Sequence, residues 1–358
     1  MIKFDFIIIS FNTKLLTIQC INSLYSSMQK LNSLYTSEIK KTDSQSNTSF
    51  GKKSEIKLGE VIVVDNGSID GTIEEIKSNF KNVKLIENNE NLGYAKACNI
   101  GIQNSKSDFF IISNSDIIVY PSSIVGIIQT LTENKTSLAG IQQLFPNLTW
   151  QRSWGLAPGF KLVIYNLFFI EFILNKFRSL NFNKSISKIE LQKVLDLEIY
   201  LQSKKLQDVP YLDGAFLGFN RNLLAENCYL DEDFFFYSEE LELCYRVAKK
   251  SKNVVFNPNY FVIHYRGGSG KSNDNSNLPK NGKAKFNLVA LKLLYETKLL
   301  FTKKHLNKFT SKLYFFSEFS LFSHLYILSI IFGFTKLGTK KEIYKYLKKI
   351  NFDIFKKI

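Results

Sequence analysis

The chain has 358 residues, 45% of them apolar and 22% charged, with a net charge of +15. That length and balance exclude a disordered chain and leave room for one large α/β domain with an appendage, or for two domains. Four scattered cysteines, Cys20, Cys98, Cys228 and Cys244, form no CxxC pair, which argues for free thiols and against a zinc cluster or a disulfide framework. The positive charge favours a polyanionic partner: nucleic acid, anionic headgroups or phosphorylated substrates.

The opening "MIKFDFIIIS", a short apolar run with an Asp inside it, reads as a first strand over 4–10 and not as a signal peptide. Residues 15–31 have helical spacing, with Leu16, Cys20, Ile21 and Leu24 on one face. The polar, Ser/Lys-rich stretch 36–57 reads as an exposed, flexible insertion. "EVIVVDNGS" (60–68) is a second strand running into a turn, followed by a helix starting near Asp70 or Thr72. "VKLIENN" is a third strand, "GYAKACNIGIQNS" a helix and "DFFIISNSDIIVY" a fourth strand. This alternation predicts a parallel sheet with ligands at the carboxyl ends of its strands. A helix over 124–133 follows, and the pattern then loosens to about 210. "VPYLDGAFLGFNRNLL" and "DFFFYSEELELCYRVAKKSKNVVFNPNYFVIHYRGGS" return to strand, loop, helix, strand and loop, and after 280 the chain reads as helical.

Three polar clusters fall where strands should end. Asp65-Asn66-Gly67-Ser68 is either a turn or a carboxylate placed to accept a hydrogen bond from a nucleobase ring. Asn114-Ser115-Asp116 interrupts a buried strand, where a carboxylate costs several kcal/mol unless it is paired or holds a cation. A divalent cation shared between Asp116 and substrate phosphates is the economical account, magnesium and manganese being commonly held that way. In "YSEELELCYR" (237–246), Glu239 and Glu240 start a helix, where the macrodipole alone favours acids, and Glu242 and Arg246 are spaced to pair. His264 ends the strand "YFVIH" before a Gly-rich loop, as a structural residue or as a ligand.

Together these segments resemble the GT-A-fold glycosyltransferases of family 2, in particular their bacterial rhamnosyltransferase-like branch. Seven segments follow the family's order between Phe4 and about Gly270: "IIISFNTKLLTIQCINSL", "VIVVDNGSIDGT", "ENNENLGYAKACNIGI", "FFIISNSDIIV", "DGAFLGFNRNLL", "LDEDFFFYSEELELCYR" and "VIHYRGGS". The resemblance implies a Rossmann-like mixed α/β sheet over 1–280, with 281–358 as a helical, basic extension. It implies a nucleotide-diphosphate sugar donor, a glycan or lipid-linked acceptor, and Mg²⁺ or Mn²⁺. Phe11 and Asn12 would lie beside the base and Asp65 would recognise its ring. Asn91, Gly93 and Lys96 fall in the segment near the nucleotide, and Gly214 would let the backbone pass close to the donor sugar. Asn114-Ser115-Asp116 stands in place of the family's Asp-x-Asp, with Asn114 near ribose and Asp116 on the metal. His264 matches a position that supplies another metal or diphosphate contact. The family implies single displacement with inversion, and Glu240 occupies the place of its catalytic base. There the family carries aspartate; the extra methylene moves the carboxylate by about 1 Å, a displacement able to cost roughly 100-fold in rate. A catalytically weak nucleotide-sugar-binding or scaffolding protein is therefore the alternative.

Residues 313–334, "LYFFSEFSLFSHLYILSIIFGF", carry one formal charge and are long enough to span a bilayer, but Glu318, His324 and four serines interrupt them. The following 24 residues hold eight Lys against two acids. The combination suggests helices lying on the anionic inner leaflet of a cytoplasmic, peripheral enzyme, with helix packing as the plainer alternative. With no RNA- or DNA-binding motif, nucleic acid is set aside as a partner.

Overall fold

The structure is a computed structural model that describes residues 1–42, 55–133, 136–186, 205–224, 228–250, 253–266, 288–331 and 340–358. Two compact units emerge, one of 1–155, 183–235 and 239–284, the other of 156–182, 236–238 and 285–358.

The first unit is built on β1 (Ile2–Ser10), α1 (Lys14–Thr42), β2 (Ile56–Asp65), α2 (Thr72–Asn79), β3 (Val83–Glu87), α3 (Tyr94–Asn104), β4 (Phe109–Asn114), β5 (Ile117–Ile118), α4 (Pro121–Glu133) and β6 (Leu138–Leu144). Two short strands, β7 (Trp154–Gly155) and β9 (Tyr211–Leu212), pair with each other, while β8 (Gln207–Asp208) lies along β11 (Val254–His264). With β10 (Phe216–Asn220), the main sheet runs in the order β3-β2-β1-β4-β10-β6-β11-β5. β1 is parallel to both β2 and β4, and β10 is antiparallel to β4 and β6. This mixed, mostly parallel sheet with helices on both faces is the GT-A architecture that the resemblance implies.

The strands read as continuous apolar runs because both faces are covered. In β1, Phe4, Phe6 and Ile8 pack with Cys20, Ile21 and Leu24 of α1 and Ile124, Ile127 and Ile128 of α4. Ile7 and Ile9 point the other way, into a layer with Ala95, Cys98 and Ile102 of α3 and Leu243, Cys244 and Val247 of the helix Glu239–Lys249. All four cysteines are free and buried. Burial pushes the Cys20 and Cys244 thiols up to about 12.

Three local differences from the sequence reading have simple causes. α1 continues to Thr42, Lys and Glu being good helix formers, and β2 starts at Ile56; the rest of the insertion expected over 36–57 lies outside the described residues. The interrupted fourth strand is two strands, β4, which pairs with β1, and the two-residue β5, which pairs with the end of β11. β6, in a stretch that sequence alone left irregular, pairs with both β10 and β11.

The second unit is helical, with Phe160–Leu167, Ile170–Ile186, Leu288–His305, Lys308–Ile331 and Lys341–Lys357. Val163, Tyr295, Tyr314, Phe315, Leu347 and Ile354 form its core. The polar residues that interrupt the apolar stretch turn inward: Glu318 is buried 3.4 Å from Lys298 Nζ, and the Ser317 hydroxyl donates back to the Tyr314 carbonyl at 2.7 Å. Lys308–Ile331 is long and apolar enough to cross a membrane by length and composition, with a third of its apolar window buried in the protein.

At the amino-terminal edge of the sheet Asp5 is buried and accepts from the Glu60, Lys106 and Ser107 N–H groups and from the Ser105 and Ser107 hydroxyls, at 2.8–3.1 Å. Burial alone would raise its pKa, but these bonds outweigh burial and hold it below its ordinary value. Such a carboxyl stabilises the fold above its unfolded pKa of about 3.9 and loses that contribution as pH falls through the lower folded value. Asp5→Asn should therefore cost about 3 kcal/mol at neutral pH, with the gap to wild type narrowing below pH ~4, as read from urea midpoints across pH.

Candidate active site

Strand order reverses at β1, with β2 and β3 on one side and β4 on the other, and open α/β sheets bind ligands outside the carboxyl ends at such a reversal. In register there are Ser10 opposite Asp65 and Ile9 opposite Asn114. The Thr13 and Ser115 hydroxyls, 2.8 Å apart, join the two loops. Phe11 follows β1 at this edge. Asn12 takes a left-handed conformation (φ 52°), with its N–H on Ser68 Oγ at 2.8 Å and its Oδ1 accepting from Ile69 N–H at 2.9 Å. Asp65 is fully buried; Oδ1 accepts from Ser68 N–H at 2.7 Å, while Oδ2 has no hydrogen-bond partner among the described residues. Burial raises its pKa despite the bonds from Ser68.

Next to it, Asn66 ties down the segment 88–93. Its amide nitrogen donates to Asn91 Oδ1 at 2.9 Å and Gly93 O at 3.2 Å, and its oxygen accepts from Asn88 and Leu92. Gly93 has φ 87°, and a Cβ there would lie 2.7 Å from the Phe235 carbonyl oxygen, so only glycine fits. Tyr94 N–H donates to that same carbonyl at 2.7 Å, and Tyr94 Oη donates to Gly214 O at 3.2 Å. Lys96 is exposed on the first turn of α3 and, among the described residues, no hydrogen bond or ion pair ties it to the other candidates.

Asn114 N–H donates to Ala215 O at 2.9 Å, whereas its side-chain oxygen has no hydrogen-bond partner among the described residues. Asp116 and His264 are both buried, with Oδ1 and Nε2 3.3 Å apart. The pairing of Ile117 with His264, and the bond from Tyr265 N–H to Asp116 O, hold them together. On its other side His264 Nδ1 meets Gln143 Oε1 at 3.0 Å and Gln151 Oε1 at 2.8 Å. A ring that keeps its proton on Nδ1 turns a lone pair towards the carboxylate, and a divalent cation fits between two such acceptors. Among the described residues no group of three or more His, Cys, Asp or Glu side chains is placed to hold a metal. A cation here would therefore draw its remaining ligands from phosphate or water.

The helix Glu239–Lys249 follows two residues of positive φ, Tyr237 (75°) and Ser238 (67°). Glu239 is buried and Glu240 half-buried, and each has an oxygen without a hydrogen-bond partner among the described residues. Burial and then the Asp213 charge push Glu240 up to about 7, against the pull of backbone N–H groups and Arg152. Burial and the Glu240 charge likewise raise Glu239. Gly214 lies against this side chain, a Cβ there falling 3.3 Å from Glu240 Cβ. Glu242 and Arg246 form the expected pair at 2.9 Å.

The contacts run Asn12–Ser68–Asp65, Asn66–Asn91–Gly93–Tyr94–Gly214–Glu240 and Asp116–His264–Gln143–Asp213. Phe11 and Lys96 stand outside these chains. Sequence reasoning read Asn66 only as part of a turn and passed over Gln143, Gln151, Arg152 and Asp213. Only Asp213 carried a usable signal, as the carboxylate directly before Gly214.

A model of the family described as "Glycosyl transferase family 2" matches residues 5–225. An uncharacterized glycosyltransferase of Haemophilus influenzae is 37% identical over 78 residues, 21% of this chain and 24% of that protein, so the chain spans about a quarter of that relative. The N-acetylglucosaminyl-diphospho-decaprenol L-rhamnosyltransferase of Mycobacterium tuberculosis is 23% identical over 252 residues, 64% of this chain and 74% of its own length. Among solved structures, the mannosyltransferase PcManGT of Pyrobaculum calidifontis, in complex with GDP-Man and Mn²⁺, aligns with a TM-score of 0.47 at 12% identity, covering 98% of this chain and 86% of that one.

Gly93→Ala should destabilise the first unit by roughly 2–3 kcal/mol, since it adds both backbone strain and a clash with a carbonyl. Urea unfolding measures it, and a cost below about 0.5 kcal/mol would mean that the close approach to Phe235 is not needed.

Proposed function

The chain belongs to glycosyl transferase family 2, and from that membership we propose that it moves a sugar, rhamnose first among the candidates, from a nucleotide-diphosphate donor to a glycan or lipid-linked acceptor in the assembly of a bacterial surface polysaccharide. The observation that carries this reading is the set of buried oxygens without donors at the strand-order reversal: Asp65 Oδ2, Asn114 Oδ1 and Glu240 Oε2. Buried acceptors are nearly always satisfied, so a group of them at one sheet edge suits a ligand that brings its own donors. The mycobacterial relative's name supports rhamnose and a lipid-diphosphate acceptor.

In this reading Asp65 accepts from the base ring, with Phe11 and Asn12 beside it. Asn91 and Gly93 line the nucleotide, Lys96 faces the phosphates, and Asn114 contacts ribose. Asp116 and His264 are the residues that would hold Mg²⁺ or Mn²⁺. Such an ion supplies charge neutralisation for the departing nucleoside diphosphate. Gly214 leaves room for the donor sugar beside Glu240. Glu240 takes the proton from the acceptor hydroxyl, whose oxygen attacks the anomeric carbon on the face opposite the diphosphate, inverting it.

A base must be deprotonated to act, and a carboxyl raised to about 7 is mostly protonated at pH 6. Turnover at low substrate should therefore climb about tenfold per pH unit below ~7 and level off above it. Glu240→Gln should lower kcat roughly 10²–10⁴-fold while donor binding persists in a thermal-shift titration with UDP- and dTDP-sugars. If the wild type binds a donor yet turns over no member of a broad acceptor panel, the scaffolding reading replaces this one.

For membrane contact, the support is charge and exposure. Residues 285–358 hold fifteen Lys against four acids, and Phe309, Ile327, Ile330 and Ile331 are exposed. An apolar groove of about 740 Å³ runs past Phe319, Tyr326 and Phe352, with Lys345, Lys348 and Lys349 among its lining. We place the enzyme on the cytoplasmic leaflet by these features. Each Lys near an anionic surface contributes about 1 kcal/mol, so converting Lys345, Lys348 and Lys349 to Glu should weaken co-sedimentation with phosphatidylglycerol vesicles by roughly 100-fold or more. Equal sedimentation of variant and wild type would remove the basis for this placement.

A further inference from the structure

Left to itself, a buried His–Asp pair adopts the tautomer in which the ring donates Nε2–H to the carboxylate. The surroundings of His264 are built against that choice. Gln143 Nε2 lies 3.2 Å from Asp213 Oδ1 and 3.5 Å from Asp213 O, and Gln151 Nε2 lies 2.9 Å from His264 O. Those partners are acceptors only, so each amide must keep its nitrogen on that side and its oxygen towards the ring. Two oxygens then converge on Nδ1, at 3.0 and 2.8 Å, and a nitrogen facing two acceptors has to carry a proton. Both glutamines are 1% exposed, which leaves no water to take over if either turns away. Gln142 reinforces the arrangement, its amide nitrogen donating to the backbone carbonyls of Gln143 and Gln151 at 2.7 and 2.6 Å and to Ser153 Oγ at 2.8 Å.

We propose that Gln143 and Gln151 are positioning residues that fix His264 as its Nδ1–H tautomer, so that a bare Nε2 faces Asp116 and the two together form a cation-binding pair. The inference rests on the metal reading above and deepens it. Two acceptors 3.3 Å apart repel each other, and the glutamines maintain that repulsion where the other tautomer would remove it. A divalent cation bound by both groups turns the arrangement from costly to favourable. Gln143 also donates to Asp213, the carboxylate whose charge acts on Glu240, so one side chain links the histidine to the neighbourhood of the base.

Ring-¹⁵N-labelled histidine in the full chain provides the test, since His264 is one of only three histidines and its signals are identified by their loss in His264→Ala. At pH ~8.5 the wild type should show Nδ1 protonated and Nε2 bare. In Gln143→Leu/Gln151→Leu the ring should move towards Nε2–H, and Mn²⁺ affinity, measured by paramagnetic resonance on separate samples, should fall about 10–100-fold. Gln143→Glu keeps an oxygen opposite Nδ1 and should keep the wild-type tautomer. An Nε2–H or doubly protonated wild-type ring at that pH overturns the proposal, as does a folded double variant with tautomer and Mn²⁺ affinity both unchanged. If the double variant does not fold, the wild-type and Gln143→Glu spectra still decide. Mn²⁺ bound tightly by a wild type in the Nε2–H form sinks the clamp alone. A clamped Nδ1–H ring in a protein that binds no Mn²⁺ sinks the metal reading, and the purpose assigned to the clamp with it.

Discussion

Oxygen acceptors stripped of water, at the point where strand order turns around, are the constraint on which the rest of the first unit depends. Leaving a buried acceptor unmade costs about 1–3 kcal/mol, more if it is charged. Asp65, Asn114, Glu239 and Glu240 each keep such an atom. The apolar layers on both faces of the sheet supply the stability that makes this tolerable, and a ligand that brought donors or a cation would recover the loss. At the opposite edge of the sheet Asp5 is instead saturated with donors.

The antiparallel β10 decides how the site is assembled. Parallel strands deliver their carboxyl ends to this edge, but β10 runs the other way and so brings its start there. Asp213, Gly214 and Ala215 consequently reach the same edge as Asn114, and Ala215 O accepts from Asn114 N–H. A glycine in that position lets Glu240 pack against bare backbone.

Much of this was legible from residue order. β1, β2 and β4 announce themselves by the apolar runs 6–9, 61–64 and 109–112, and Asp65, Asp116 and His264 stand out because they follow such runs with a charge or a ring. Glu240 was legible only through the resemblance, because acids at a helix start are ordinary. What stayed hidden is non-local. Gln143 and Gln151 meet a histidine more than 110 residues away, and no spacing rule encodes that meeting. The strand that carries Gln143, "LAGIQQL", breaks its apolar run with Gln142 and Gln143 and reads as a loop, and Gln151 lies beyond its end. Glu318 likewise reads as a flaw in an apolar helix until Lys298, on a different helix, is seen to face it.

The four buried cysteines bear on how the molecule ages. A sulfur that ionises only in strong alkali, and lies inside a packed layer, gives alkylating agents and peroxide no thiolate to react with. Cys20 sits beneath one side of the sheet, and Cys98 and Cys244 beneath the other. Chemical damage must therefore wait for a layer to lift, and each sulfur acts as a clock for its own side.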